Sequence, residues 1–314
     1  MRELTIVADL GGTHLRAATV SDDGQIHQRI KQKTPKSDNA DDIVQALVSA
    51  SKEFISLNAE SKVSSMCVVV PGTVYVETGT VVKAPNLPCL DGFRLTAALE
   101  GELKLPILIE NDANAAAVGE MWKGAAVGAK TIICVTLGTG VGGGVILDGK
   151  LWRGIDGSAG EIGHIGVEPF GPPCGCHSRG CLEVFSSATA IVRMTKELGS
   201  RYPGSPLNQI RELNAETIFL KGLRGDELAL EVFRRAGFYL GVGLASLINI
   251  LNPEMIVIGG GVAAGWDLFI QRAKEQVDAR AFPEPTKRAQ IVRAICGDDA
   301  GLLGAAYLAF EAKM

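Results

Sequence analysis

With 314 residues, 46% of them hydrophobic and 21% charged, the chain has the balance of a folded protein and more length than one ordinary core needs, so two lobes are expected. A net charge of −4 argues against a dedicated nucleic-acid surface, and no block of like charges reads as an interaction tail. No apolar run approaches the ~18 to 20 residues of a membrane span, and Glu3 and Asp9 fall where a secretory leader needs an apolar stretch, so a cytoplasmic location with no membrane partner is expected.

In chain order, an opening strand at 4–8 runs into Asp9-Leu10-Gly11-Gly12-Thr13, and a second at 15–20 turns at Asp23-Gly24. Residues 41–57 read as an amphipathic helix, with Asp41 and Asp42 at its start and Ile43, Leu47, Val48, Phe54 and Ile55 roughly on one face. A buried strand at 63–70 ends at Pro71-Gly72. Another at 107–109 leads into Glu110-Asn111-Asp112 and an alanine-rich helix from about 113. The pattern then restarts, with a strand at 131–136, the turn Leu137-Gly138-Thr139-Gly140, a strand at 144–147 and an Asp148-Gly149 turn. Set beside residues 5–24 this is a weak internal repeat, which suggests two lobes of one design. After a helix at about 187–198, residues 200–215 read as a loop. A long helix at 226–251, stopped by Asn252-Pro253, then precedes a strand at 255–258, the loop Gly259-Gly260-Gly261 and a helix from about 266.

The glycine turns after strands are the first chemical signal. Without Cβ atoms, Gly11, Gly12, Gly138, Gly140, Gly260 and Gly261 let backbone N–H groups approach a phosphate, and Thr13 and Thr139 add hydroxyls. Asp9 would repel phosphate unless a cation lay between them, which makes it a plausible outer partner for Mg²⁺. Each turn alone could be a simple tight hairpin; their recurrence favours phosphate binding. Both Gly138–Gly143 and Gly259–Ala264 satisfy dinucleotide fingerprints. The first is followed by a strand and the second by about 50 residues, so neither opens a full dinucleotide domain.

Asp112 arrives at the start of a helix just beyond a strand, where α/β proteins bind ligands. It is either a helix cap or a base that orients a hydroxyl for attack on phosphorus. Of the seven cysteines, Cys67, Cys89, Cys134 and Cys296 are scattered, whereas Cys174, Cys176 and Cys181 crowd into one short loop. With His164 they form a Cys₃His set of the kind that closes a structural zinc site. His177 is a poorer fourth ligand, because it directly follows Cys176 and would strain the loop. Glu161 and Glu183 flank the knuckle and suit a polyhydroxylated substrate.

Together these motifs resemble the ROK family (repressors, open reading frames and sugar kinases) over essentially the whole chain. Asp9–Thr13 and 137–144 resemble its two phosphate motifs, and 255–262 the segment near the adenosine. Glu161-Ile162-Gly163-His164 with 174–183 resembles its C-x-C-G-x-x-G-C-x-E signature, except that His177 stands where the signature has glycine. The resemblance implies a two-lobed α/β actin-like ATPase fold of hexokinase type with a cleft between lobes. It places one lobe at 1–112 and the other, carrying the knuckle, at 113–299, with a last helix at about 300–314 packing back on the first. It implies ATP-dependent phosphorylation of a hexose, most readily glucose, with Asp112 as base and sugar contacts from Gly72, Asn86, Asn111, Asp112, Glu161, His164 and Glu183. ATP, Mg²⁺, structural zinc and a homodimer or homotetramer belong to the same expectation. N-acetylglucosamine, N-acetylmannosamine, mannose and fructose are the alternative sugars, since small pocket changes discriminate among them by only ~1 to 3 kcal/mol. A transcriptional repressor is disfavoured, because it would need a helix-turn-helix segment ahead of Asp9, and a non-catalytic sugar-sensing protein is disfavoured because Asp9, Asp112 and both glycine turns are present.

Overall fold

In the computed structural model, which describes residues 3–313, the chain opens with β1 (Glu3–Leu10), β2 (His14–Ser21) and β3 (Ile26–Lys33). Helix α1 (Ala40–Leu57) is capped by Asn39, whose side chain accepts from Asp41 N at 3.0 Å, and Asp41 and Asp42 favour its first turn. Then come β4 (Lys62–Val70), the short pair β5 (Thr73–Tyr75) and β6 (Thr80–Lys83), α2 (Leu95–Leu103), β7 (Ile107–Asn111) and α3 (Asp112–Lys123). The strand-turn-strand pattern repeats as β8 (Ile132–Leu137), β9 (Val141–Leu147) and β10 (Lys150–Leu151). Helices α4 (Glu183–Ser186), α5 (Ala188–Leu198), α6 (Ala215–Gly222) and α7 (Glu227–Leu251) follow, the last closed by Asn252 in a left-handed conformation ahead of Pro253. The chain ends through β11 (Met255–Gly259), α8 (Trp266–Arg280), α9 (Pro283–Thr286), β12 (Gln290–Arg293) and α10 (Ala300–Glu311). Among the described residues, no helix is long and apolar enough to cross a membrane.

The chain forms two compact units. One takes the sequence up to Gly128, Gly144–Gly160 and the residues from Cys296 on; the other takes Ala129–Gly143 and Glu161–Ile295. The boundary expected after residue 112 therefore falls after Gly128. The reason is packing, for Ala115 of α3 joins Val7, Cys67 and Val69 of the first sheet in one apolar cluster.

The two five-stranded sheets share one plan, in the orders β3-β2-β1-β4-β7 and β10-β9-β8-β11-β12. The weak sequence repeat is thus a real repeat of topology. In the first sheet β1 pairs antiparallel with β2, while β1–β4 and β4–β7 are parallel; β8–β11 and β11–β12 are parallel in the second. The core strands are apolar on both faces. Ile6, Ala8 and Leu10 of β1 and Met66, Val68 and Val70 of β4 pack with α1 and α2, while Val7, Cys67 and Val69 pack with α3 and α10.

Helices α3 and α10 cross with almost no space between backbones. A Cβ on Gly304 would run into the Ala115 carbonyl oxygen, and one on Gly119 into that of Ala300. A carbonyl cannot swing aside as a long side chain can, so Gly304→Ala should lower the unfolding free energy by about 1–3 kcal/mol, an overpacking cost. Gly101, at an exposed position of α2, meets nothing within 4 Å, and Gly101→Ala should raise it by roughly 0.4–1 kcal/mol. Urea unfolding of both variants checks the pair.

Candidate functional site

In the first unit, polar side chains gather where β1 and β7 end. Asp9 and Arg16 are cross-strand partners on β1 and β2, and the guanidinium of Arg16 donates to Asp9 Oδ2. The turn Gly11–Thr13 is fixed by Gly11 N donating to His14 O at 3.0 Å, and from the side by Thr34, whose hydroxyl donates to Gly11 O at 2.5 Å. Gly12 lies against Asn86: a Cβ there would sit 2.7 Å from the Asn86 Cβ. The Asn86 loop is anchored by Ala84 N donating to Asp91 Oδ1 at 2.8 Å. Gly72 reaches this region through its carbonyl, which accepts from Asn111 Nδ2 at 2.8 Å.

Asn111, not Asp112, caps α3. Its Oδ1 accepts from Ala113 N at 2.9 Å and Asn114 N at 3.0 Å, while Nδ2 donates to Gly72 O and, at 3.1 Å, to Asp112 Oδ1. The Asn111 side chain thus caps the helix and ties it to Gly72 and Asp112. Asp112, freed from capping, is the first helical residue. Its Oδ1 accepts from Ala113 N at 2.9 Å and from Asn111, which leaves Oδ2 unengaged among the described residues. The side chain keeps accessible surface, yet the protein around it and the nearby Asp9 carboxylate push its carboxyl up to about 6, against the pull of the Ala113 N–H.

Two arginines escaped the sequence reading. One is Arg16; the other is Arg153, whose Nε donates to Glu110 Oε2 at 2.7 Å, with Glu110 only 2% exposed. No local motif signals either pairing, since both partners are brought together by the sheet and by a loop far along the chain.

In the second unit, the turn Gly138–Gly140 is braced by α5. Gly138 O accepts from Ala188 N and Thr139 O from the Thr189 hydroxyl, both at 2.8 Å. Gly260, at φ +85°, packs so tightly on the backbone of Leu137 that any Cβ would collide with it. The two glycine loops of this unit, Gly138–Gly140 and Gly260–Gly261, are thus neighbours. Beside Thr139 lies a cavity of about 510 Å³ lined by Val192, Lys196, Leu213 and Asn214 among others. Its far wall comes from 213–215, at the end of the stretch read as a loop, and nothing in the sequence marks it.

The knuckle lies in the same unit. His164, Cys174, Cys176 and Cys181 bring their ligand atoms within 4.8 Å of one another. Cys174 Sγ is 3.6 Å from His164 Nδ1, and Cys176 Sγ is 3.6 Å from Cys181 Sγ. Tetrahedral zinc with bonds of ~2.3 Å needs sulfur atoms about 3.8 Å apart, so the donor set fits that metal. Burial pushes the Cys181 thiol up to about 12, and a cation would be what holds it as thiolate. His177 takes no part in the cluster. It stands at φ +69°, with its N–H donating to Cys174 O at 3.0 Å, in the left-handed conformation that glycine adopts without strain. Glu161 and His164 are exposed, with Glu161 Oε2 3.8 Å from His164 Nε2. Glu183 Oε2 accepts from Val141 N at 3.0 Å, and Oε1 lies 3.9 Å from Cys174 Sγ.

The sequence profile of the ROK family matches residues 5–312. A glucokinase of Halalkalibacterium halodurans is 39% identical over 307 residues, 96% of this chain and 93% of that one. A solved ROK family glucokinase from Streptomyces griseus, in complex with glucose and AMPPNP, is 35% identical with a TM-score of 0.82 over 98% of this chain and 99% of that one. The ROK hexokinase from Thermus thermophilus gives 0.84 at 31% identity over 99% of each chain. With two sheets built on one strand order and this likeness running from end to end, the chain belongs to the ROK family and has its actin-like ATPase fold.

Proposed function

We propose that this chain transfers the terminal phosphoryl group of ATP to a hexose, glucose before others, with Asp112 as the general base. The observation that carries this reading is the state of Asp112. It is released from capping by Asn111, has Oδ2 unengaged among the described residues, and has its carboxyl raised to about 6. A base works best with a pKa near the working pH, and phosphoryl transfer asks it mainly to orient the sugar hydroxyl and accept its proton late. The glucokinases among the relatives support glucose as the acceptor.

The remaining roles follow by chemistry. Gly72, Asn86, Asn111, Glu161, His164 and Glu183 would hold the sugar hydroxyls. The turns at Gly11–Thr13 and Gly138–Gly140 would cradle phosphates with backbone N–H groups. The cavity beside Thr139, apolar at Val192 and Leu213 and polar at Lys196 and Asn214, would seat the nucleoside, with Gly260 and Gly261 close by. Mg²⁺ bound with ATP would neutralise phosphate charge, and Asp9 would meet its waters through the oxygen that Arg16 does not engage. Zinc held by His164 Nδ1 and three thiolates would have no open position, so it would be structural, fixing the loop that aims Glu161, His164 and Glu183. Assembly into a homodimer or homotetramer belongs to the same proposal and is supported by large apolar side chains left open, Phe170 at 93% and Ile250 at 75% exposure.

Four measurements test this reading. In a coupled ADP-release assay across glucose, mannose, fructose and the two N-acetylhexosamines, glucose should give the highest kcat/KM; turnover confined to an N-acetylhexosamine would move the substrate while keeping the fold. Asp112→Asn should lose ~10² to 10⁴-fold in kcat while still binding sugar. In the parent enzyme kcat/KM should fall as pH drops through about 6, because the base acts only when ionised. Elemental analysis should find one zinc per chain, reduced in Cys181→Ser, whose sugar KM should rise more than its ATP KM. Full zinc retention by that variant would show that the loop is held in another way. Finally, His177→Gly should raise the thermal midpoint, since an L-residue in the left-handed region costs roughly 1–2 kcal/mol, partly offset by the entropy a glycine loses.

A further inference from the structure

Glu110 sits two residues before Asp112, 2% exposed, with both oxygens engaged. Oε1 accepts from Asn111 N at 2.9 Å and from Asn114 Nδ2 at 3.0 Å, and Oε2 accepts from Arg153 Nε at 2.7 Å. A carboxylate so enclosed has no hand in moving protons or holding phosphate. Arg153 comes from the loop after β10, and that loop is fastened at several points. Ala159 N donates to Arg153 O at 3.1 Å, Ser158 N donates to Asp156 Oδ1 at 3.1 Å, and a Cβ on Gly157 would lie 2.6 Å from Val74 O.

We propose that Arg153 is a positioning residue for the catalytic base: through Glu110 it holds Asn111 and Asn114, and with them the first turn of α3 that presents Asp112. The proposal rests on the reading of Asp112 as base. The links are short and continuous. Arg153 fixes Glu110, Glu110 fixes the Asn111 N–H and the Asn114 amide, and the Asn111 side chain holds Ala113 N, Asn114 N and Asp112 Oδ1. Charge points the same way. A lone anion at Glu110 would disfavour ionisation of its neighbour Asp112. The titratable groups packed around this strand end are Asp9 on β1, itself paired with Arg16 of β2, the buried Cys67 thiol on β4, and Arg153. Arg16 is committed to Asp9, so among these groups the compensation of Glu110 falls to Arg153.

The test compares Arg153→Ala, Arg153→Lys, the double variant Glu110→Gln/Arg153→Ala, and Asp112→Asn, all in the full chain. Arg153→Ala should lose about 10²-fold in kcat, the scale of a small misplacement of a reacting group, with a smaller change in either KM. The acid limb of its kcat/KM profile should move to higher pH, because the uncompensated Glu110 charge opposes the Asp112 carboxylate. In the double variant that charge is gone and the limb should return to the parent position. Arg153→Lys should keep the parent limb and recover part of kcat; it also decides the matter should the alanine variant fail to fold. Parent kcat in Arg153→Ala, or a loss of rate with the limb unmoved, overturns the proposal, as does a displaced limb in Arg153→Lys. Asp112→Asn that keeps its turnover removes the base itself, and is distinguishable because that result does not depend on Arg153.

Discussion

Strands that are apolar on both faces leave one place for polar chemistry, the point where each strand stops. In the first sheet Met66 to Val70 are buried to within 1% of their surface, and Ile6 to Ala8 are fully covered, so no charged side chain can be accommodated along them without a large desolvation cost. The residues of interest fall at or just past that limit: Asp9 next to last in β1 and Gly11 after it, Gly72 after β4, Asp112 after β7, Gly138 after β8 and Gly260 after β11. All five strands belong to parallel pairings, so within each sheet their carboxyl ends share an edge. The position of the chemistry is thus a consequence of where burial ends.

That edge concentrates acids, and their charge has to be managed. Asp9, Glu110 and Asp112 lie near one another in the first unit, and the fold treats them differently. Asp9 is met by Arg16 and Glu110 by Arg153, while Asp112 receives only hydrogen bonds on one oxygen. Glu110 is buried while Arg153 is a third exposed, so removing the arginine would leave a buried carboxylate without its cation. Asp112, given no cation, is the acid whose carboxyl rises. Two of the three acids are thus met by an arginine, and the third, the proposed base, is not.

This division also shows what was legible in the sequence. Asp112, the glycine turns and the Cys₃His set could be read because each is a local pattern: a strand end, a turn, a short loop of thiols. The repeated strand-turn-strand unit was visible for the same reason, and it correctly pointed to two sheets of one design. Arg153 lies 43 positions beyond Glu110, and only the folded loop joins them. Edge strand β3 alternates half-buried and exposed residues with many charges, so its period of two was masked by polarity. The bonds of Asn111 depend on which neighbouring donors and acceptors meet its amide, and spacing alone does not decide that.

The knuckle adds a last constraint, because it is coupled to the Gly138–Gly140 turn within one unit. Glu183 follows the last cysteine by two positions and opens α4, so the loop sets where its carboxylate goes. One oxygen then binds Val141 N beyond the glycine turn and the other faces Cys174 Sγ. A Cβ at Gly140 would lie 2.4 Å from Glu183 Oε2, so the carboxylate would have to shift to make room for it. The loop accepts a non-glycine residue at φ +69° in His177, at a position exposed to solvent. At Gly180, by contrast, the Glu168 carbonyl blocks any Cβ. Departure from the family signature is therefore tolerated where the cost is backbone strain alone of roughly 1–2 kcal/mol, and excluded where a side chain would push the thiol loop away from the carboxylate that holds the turn.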